Sequence, residues 1–241
     1  MIRLFVYEDL AGKVNAELDK ESTHYLKDVM RIRPDEEFIV VDSGSCENIC
    51  TFENGVAVIH RRTPNKSEPA VKVTLFQSVS KGERMDLTIQ KAVELGVSKV
   101  VPVFSSRCVV TQKENKKADR WRKIALEAAR QSGRGKVPEI ADPESFEKAV
   151  AYATREYKAI IFPWEEALGE DSSLKSCLAR ARAEGIEEIA LFIGPEGGYE
   201  EAEAELAEEA GASVVTLGPR ILRTETAGPA VLAMIMYELE L

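Results

Sequence analysis

The sequence predicts an α/β protein in which a small β-rich domain precedes a larger domain built on a mostly parallel sheet. From Val71 onward, apolar runs of strand length alternate with segments of helical periodicity, a pattern that indicates a parallel sheet covered by helices on both faces. Residues 1–68 instead contain several short strand-like runs separated by turns, which is typical of a compact barrel. The polar segment Thr63–Pro69 holds two prolines, so we place the boundary near residue 70 and predict domains 1–69 and 70–241.

The elements of the first domain are predicted from its turn residues as much as from its apolar runs. Strands are expected at Arg3–Tyr7, Glu37–Asp42, Ser45–Phe52 and Gly55–Arg62. The pair Asn54-Gly55 is a strong hairpin signal because both residue types tolerate positive φ. Ser22 or Thr23 is expected to cap a short helix that continues through Met30.

In the second domain, apolar runs predict the strands and amphipathic segments predict the helices. Strands are expected at Val71–Val79, Lys99–Phe104, Ala159–Phe162, Ile189–Ile193 and Ser213–Leu217, and helices at Glu83–Leu95, Ala118–Gln131, Ser145–Tyr152, Ser173–Glu184, Glu200–Ala210 and Ala227–Leu239. Gly96 is a suitable C-cap for the first of these helices. Ser132–Lys136 is expected to be a flexible basic loop, and the last helix is apolar nearly all round, which indicates that it is buried.

Two loops rich in glycine and proline follow the last two strands, and they are the strongest functional feature of the chain. The first is Gly194–Gly198, and the second is Leu217–Ala227, which leads into the C-terminal helix. Loops at the carboxyl ends of parallel strands form the ligand crevice of an open α/β sheet. We therefore expect both loops to face one binding site, although a tight strand-to-helix turn is an alternative explanation for each.

Neither loop matches the common phosphate-binding motifs. No Lys-Ser or Lys-Thr follows the first loop, so it is not a P-loop, and its spacing differs from G-x-G-x-x-G. Glu196 would also repel a pyrophosphate. The loops suit a neutral or cationic ligand that is held by backbone groups, and an ordinary nucleotide-dependent enzyme is disfavoured.

Charge is distributed unevenly along the 241 residues, whose net charge is -9. Arg107–Val137 carries ten Lys or Arg against three acidic residues, whereas Pro138–Leu241 carries eight basic and 22 acidic residues. A basic segment on an acidic chain is expected of a protein that contacts nucleic-acid phosphates locally. The alternative is a solvated helix face that balances the acidic remainder.

Cysteine and histidine content argues against a metal site and a secreted protein. Cys46-x-x-x-Cys50 near His60 is a poor zinc pattern without a fourth ligand, so we expect no metal and four reduced thiols. The N-terminus lacks the features of a signal peptide, and no apolar run reaches membrane-spanning length. A cytoplasmic location is therefore expected.

Five ordered motifs are distributed over nearly the whole chain. They are His24-Tyr25-Leu26 with Val29-Met30-Arg31, QKAVELG at 90–96, Ser106-Arg107-Cys108, Arg120-Trp121 with Glu127–Arg134, and IGPEGG at 193–198 followed by LGPRILRTETA at 217–227. Together they resemble the motifs of the RsmE family of ribosomal RNA uridine-N3 methyltransferases in the SPOUT superfamily. The resemblance implies a PUA-like RNA-binding barrel followed by a SPOUT α/β domain with a trefoil knot, and it implies a homodimer. It also implies S-adenosylmethionine (SAM) as the cofactor and 16S rRNA, within the small ribosomal subunit, as the partner.

Carried over position by position, the resemblance gives a set of expected site residues. SAM is expected to contact Phe162, Ile193, Gly194, Pro195, Gly197, Gly198, Leu217, Gly218, Ile221, Leu222, Arg223 and Thr226. RNA is expected to contact Arg31, Arg33, Arg107, Arg120, Arg130, Gln131 and Arg134.

The expected chemistry assigns catalytic roles to three side chains. When uridine N3 loses its proton, negative charge spreads to the flanking carbonyl oxygens, so a cation should stand nearby. Arg223 is the candidate for that cation, and Glu225 and Glu196 are the candidate bases. Glu225 has an alternative role as the partner of an arginine, and Glu196 has one as a cap of its own loop. The alternative functions are another SPOUT RNA methyltransferase, acting on a ribose 2′-oxygen or a different base, and a non-catalytic RNA-binding module.

Overall fold

The computed structural model describes residues 1–109, 117–167 and 172–240 and divides the chain into two compact units. The first unit comprises Met1–Glu68 together with Ala129–Val137, and the second comprises Pro69–Ala128 and Pro138–Leu241. The first unit is therefore assembled from two separate stretches of the chain.

The first unit is a five-stranded sheet that curls into a half-barrel around an apolar core. Its strands are β1 (Arg3–Phe5), β2 (Asn15–Glu17), β3 (Phe38–Val41), β4 (Cys46–Glu53) and β5 (Val56–Pro64). They lie in the order β1-β3-β4-β5-β2, and only the β1–β3 pair is parallel. Leu4, Leu26, Phe38 and Cys50 are among the buried residues that fill the concave side. Burial raises the pKa of the Cys50 thiol to about 12, so this cysteine is a neutral core residue.

In the first unit, the residue that caps α1 differs from the predicted one, whereas the predicted hairpin turn is observed. The helix α1 (Lys20–His24) is capped by Asp19, whose carboxylate accepts a hydrogen bond from the Ser22 amide at 2.7 Å; the predicted caps Ser22 and Thr23 lie inside the helix. The helix continues as a π-helical turn, Tyr25–Val29. Asn54 and Gly55 have φ of 49° and 93°, which fits the predicted hairpin turn between β4 and β5.

Residues 129–137 are held in the first unit by an ion pair that is largely removed from water. The Arg134 guanidinium donates to both Glu68 carboxylate oxygens, at 2.9 and 2.7 Å, and its side chain is 4% exposed. The amides of Gly135 and Lys136 donate to the same carboxylate, and Asn65 donates to the Gly133 carbonyl. The prediction of a flexible loop at Ser132–Lys136 was wrong, because Glu68 and Asn65 satisfy its backbone groups.

The second unit is an α/β domain on a seven-stranded parallel sheet. Its strands are β6 (Lys72–Ser78), β7 (Lys99–Phe104), β8 (Glu139–Ile140), β9 (Glu144–Ser145), β10 (Ala159–Pro163), β11 (Glu188–Ile193) and β12 (Ser213–Val215). Its helices are α2 (Arg84–Glu94), α3 (Ala118–Ser132, of which the residues from Ala129 belong to the first unit), α4 (Phe146–Glu156), α5 (Leu174–Ala183), α6 (Glu201–Glu209) and α7 (Thr224–Leu239). The strand order is β12-β10-β11-β6-β7-β8, with β9 also paired to β7. All these pairings are parallel, as the alternation of strands and helices predicted.

Aromatic rings dominate the core of the second unit beneath the carboxyl ends of its central strands. Phe76 of β6 stacks on Phe192 of β11, with ring centroids 4.5 Å apart and an interplanar angle of 4°. Phe162 of β10 stacks on Tyr199 at 4.4 Å and 29°. Such packing fixes the strand ends and therefore the loops that leave them.

Two absences are observed within the described ranges. No helix there is long and apolar enough to cross a membrane. No cluster of three or more His, Cys, Asp or Glu side chains in the same ranges has the arrangement of a metal site.

Candidate active site

The two glycine-rich loops predicted from the sequence line one cavity of about 660 Å³ in the second unit. The cavity lies at the carboxyl ends of β10, β11 and β12, which are neighbours in the sheet. The residues predicted for the cofactor that line it are Ile193, Gly194, Pro195, Gly197, Gly198, Leu217, Gly218, Ile221 and Leu222. Glu196, predicted as a base, lines it as well.

Gly197 and Gly198 of the first loop differ in what a side chain would meet at each position. Gly198 has a φ of +70°, and a Cβ atom there would lie 2.3 Å from Oε1 of Glu165. Gly197 has no such backbone constraint, and its Cβ atom would meet only the Arg107 side chain, at 3.3 Å. The loop shape therefore depends on Gly198, whereas a side chain at Gly197 would point at Arg107, which does not line the cavity.

A buried hydroxyl group fixes the start of the first loop to the start of α7. Thr224 is 5% exposed, and its hydroxyl donates to the Gly194 carbonyl at 2.6 Å. The same oxygen accepts a hydrogen bond from Nε2 of Gln77 at 2.9 Å. Neither Thr224 nor Gln77 was identified from the sequence as a site residue.

The two predicted bases share one cation, which the sequence analysis missed. Glu196 accepts hydrogen bonds from the Lys81 amide at 2.8 Å and from Nη1 of Arg84 at 3.2 Å. Oε1 of Glu225 lies 3.6 Å from Nε of the same arginine. The alternative role considered for Glu225, that of an arginine partner, is the one the geometry displays.

Three residues predicted to contact the cofactor do not line the cavity. Phe162 is fully buried against Tyr199 and does not line the cavity, so its contact with the cofactor stays a prediction. Arg223 is exposed at the N-cap of α7, and the Thr226 amide donates to its carbonyl. Tyr199, which the sequence analysis did not select, lines the cavity in place of Phe162; burial raises the pKa of its hydroxyl, so the phenol stays protonated.

The remaining wall of the cavity is formed by aromatic, acidic and other polar side chains that were not among the predicted contacts. Trp164, Glu165 and Glu166 follow β10 and line the cavity, together with Thr216, which precedes the second loop, and Arg220 within that loop. Exposed Glu165 and Glu166 place negative charge at this wall. The site thus offers backbone groups, apolar side chains and carboxylates, a set suited to a ligand that carries positive charge.

Comparison with known proteins identifies the family of this chain. The family model described as an RNA methyltransferase domain matches residues 66–236. A relative from Bacillus subtilis named ribosomal RNA small subunit methyltransferase E is 34% identical over 230 residues, which cover 92% of this chain and 89% of the relative. A protein of the same name from Buchnera aphidicola is 31% identical over 87% of this chain and 85% of its own length.

The chain belongs to the ribosomal RNA small subunit methyltransferase E family. A solved structure of that name from Neisseria gonorrhoeae, bound to S-adenosyl methionine, superposes with a TM-score of 0.85 at 33% identity and covers 98% of this chain and 97% of its own. The resemblance found in the motifs and the two-part α/β architecture are thereby confirmed.

Within this family fold, the predicted RNA contacts of the second unit are engaged in local interactions. Nη1 of Arg107 donates to the Gly197 carbonyl at 2.9 Å, so this side chain covers the first loop. Nη2 of Arg120 lies 2.5 Å from Oδ2 of Asp86. Of the basic segment counted in the sequence, Lys113 and Lys116 lie outside the described residues.

The predicted RNA contacts of the first unit differ in their exposure. Arg31, Arg33 and Gln131 are exposed, and Arg31 has a positive φ of 51°. The Arg130 guanidinium lies 4.6 Å from the ring centroid of Tyr25. Arg134 does not fit the prediction of an RNA contact, because it is buried and its Nε and Nη2 both donate to the Glu68 carboxylate. A phosphate would have to break that pair.

Proposed function

We propose that this protein is a SAM-dependent methyltransferase that methylates N3 of a specific uridine in the 16S rRNA of the small ribosomal subunit. The observation that carries the proposal is the cavity formed by the IGPEGG and LGPRILRTETA loops in a chain of this family. The SAM-bound relative from Neisseria gonorrhoeae supports the choice of cofactor.

The residues of the cavity fit this cofactor. Leu217, Ile221 and Leu222 offer an apolar edge with backbone groups for an adenine ring, and the glycines of the first loop expose backbone at the cavity wall. Glu165 and Glu166 supply negative charge that complements a sulfonium and an ammonium group. When bound, SAM supplies the electrophilic methyl group.

The residues of this chain then have to hold the acceptor uridine and accept the proton that leaves its N3 atom. Orientation of the acceptor nitrogen provides much of the rate because an in-line displacement needs the reacting atoms aligned. Arg223, exposed at the start of α7, is the proposed cation for the charge that develops on the uridine carbonyls. Glu225 and Glu196 remain the proposed bases, although both carboxylates now have Arg84 as a partner.

We also propose a cytoplasmic homodimer with a trefoil knot in the second unit. An apolar groove of about 570 Å³ between α5 and α7 supports the dimer, since Met234 and Tyr237 in it are 48% and 72% exposed. Sedimentation equilibrium is expected to give twice the chain mass and a shift toward the single-chain mass on Met234→Glu. A wild-type protein that stays at the single-chain mass at micromolar concentration contradicts the dimer.

Calorimetry with SAM on the wild type and on Gly197→Val tests the cofactor assignment. A Cβ atom at 197 would lie 3.3 Å from the Arg107 side chain, which itself donates to the Gly197 carbonyl. Valine there is therefore expected to displace the first loop and weaken its contacts with the ligand while the unit stays folded. We expect micromolar binding by the wild type and a loss of at least about tenfold in the variant, or ~1.4 kcal/mol. Circular dichroism checks the fold.

Mapping of the methylated base on 16S rRNA then tests the reaction. Incubation of naked 16S rRNA and of small subunits with protein and SAM should place one methyl group on N3 of one uridine. A modified ribose oxygen or another base would instead make the chain a different SPOUT enzyme. A wild type that binds RNA but not SAM at any salt concentration would be a non-catalytic RNA-binding module.

A further inference from the structure

Arg84 connects three elements near the cavity, namely α2, the first loop and the first turn of α7. It is the first residue of α2, and its guanidinium reaches the IGPEGG loop through Glu196 and the first turn of α7 through Glu225. Glu196 itself lines the cavity, and Glu225 directly follows Thr224, which lines it too. One side chain therefore contacts both of the loops that the function requires.

The contacts of Arg84 are specific in geometry. Its Nη1 donates to Oε1 of Glu196 at 3.2 Å and to the Lys81 carbonyl at 3.4 Å, while its Nε lies 3.6 Å from Oε1 of Glu225. The Lys81 amide donates to the same Glu196 oxygen at 2.8 Å. The loop before α2 and the arginine thus hold Glu196 from two directions.

Electrostatics make the arginine necessary to this arrangement. Glu196 and Glu225 both lie within ion-pair distance of Arg84, and in the part of the chain that the structure describes no other cation pairs with either. Oε2 of Glu225 is buried without a hydrogen-bond partner. Without the arginine, two carboxylates of like charge would face each other, one of them largely removed from water, and the loops that carry them would separate.

We infer that Arg84 is the positioning residue of the cavity: it holds the IGPEGG loop and the first turn of α7 at the separation that a ligand needs. The contact of Thr224 with Gln77 and Gly194 ties the same two loops at another point. Loss of Arg84 therefore loosens the cavity without unfolding the unit. The consequence for SAM rests on the proposed function, whereas the consequence for the loops does not.

Hydrogen exchange on the protein without cofactor tests the positioning role directly. In Arg84→Gln, amides in peptides covering 194–199 and 223–227 are expected to exchange about tenfold faster, while peptides of α5 remain at the wild-type rate. Lys72→Gln is the matched control, since it breaks the ion pair between Lys72 and Glu188, 2.9 Å apart, at the first residues of β6 and β11. Unchanged exchange of both loop peptides in Arg84→Gln overturns the inference.

Cofactor binding and kinetics then separate positioning from general stability. Arg84→Gln is expected to raise the Kd for SAM about tenfold with an unfolding midpoint close to that of Lys72→Gln, and Arg84→Lys should recover most of the affinity. At saturating SAM the kcat of Arg84→Gln should also fall and its pH profile should shift, because Glu196 and Glu225, the proposed bases, both lose their cation. Faster loop exchange with an unchanged Kd would overturn the link to the cofactor. If the wild type fails to bind SAM, the proposed function fails, and the exchange result still decides the role of Arg84.

Discussion

Replacing Glu68 with alanine is expected to lower the free energy of unfolding of the first unit by about 3–5 kcal/mol, the range seen when one partner of a buried ion pair is removed. The change strands the Arg134 guanidinium, whose side chain is 4% exposed, and leaves the Gly135 and Lys136 amides without their acceptor. Urea unfolding followed by far-ultraviolet circular dichroism measures the loss.

The control for Glu68 is an ion pair of the same unit that water reaches. Glu8 and Lys13 form such a pair, with side chains 42% and 45% exposed, so Glu8→Ala should cost less than about 1 kcal/mol. Glu68→Gln, which keeps an acceptor but not the charge, should fall between the two. A loss below about 1 kcal/mol in Glu68→Ala would contradict a structural role for the buried pair.

Acid should weaken the same interaction. Burial alone raises the pKa of the Glu68 carboxyl, but the hydrogen bonds and positive charge of Arg134 and the two backbone amides outweigh it, so the pKa lies below the ordinary 4.5. Because the folded pKa is depressed, the stabilisation is present above pH 4.5 and is lost as the pH falls through the folded value. Glu68→Gln should lose this part of the pH dependence in unfolding curves below neutral pH.

Replacing Phe162 with alanine is expected to destabilise the second unit by about 3–5 kcal/mol. Its ring is fully buried and lies 4.4 Å from that of Tyr199 and 6.1 Å from those of Phe192 and Phe146, so truncation leaves a cavity among aromatic side chains. Thermal unfolding and urea titration measure the effect.

A second variant at this position distinguishes core packing from direct ligand contact. Phe162→Leu keeps most of the volume and should cost only about 1–2 kcal/mol, with an affinity for SAM that stays within about threefold of the wild type. Loss of SAM affinity in this variant without loss of stability would return Phe162 to the cavity wall, as the sequence had suggested.

Local composition explains why the two loops could be predicted to form the site. Gly194–Gly198 and Leu217–Ala227 each follow a short apolar run, and parallel strands bring their carboxyl ends to one edge. The helices and five of the strands of the second unit were found for the same reason, whereas the two-residue strands β8 and β9 were not predicted. The short strand Asn15–Glu17 was missed because three residues with one buried position show no alternation.

Side chains that act across long separations could not be predicted. Arg84 lies 112 residues from Glu196, and Gln77 lies 147 residues from Thr224, and nothing in local sequence relates such pairs. Periodicity also could not show that Tyr199, which follows the first loop, packs on Phe162 and lines the cavity. A count of basic residues could not show that Arg134, unlike its exposed neighbours, is buried by its ion pair with Glu68.

The division of the first unit between two stretches of chain sets an order of events during biosynthesis. Arg134 is 66 residues downstream of Glu68, and at about 5–20 residues per second a ribosome needs on the order of 3–13 s to add them. Throughout that interval the nascent half-barrel carries the Glu68 carboxylate without its cation. The contacts of the first unit can therefore be completed only after residues 129–137 have been synthesised.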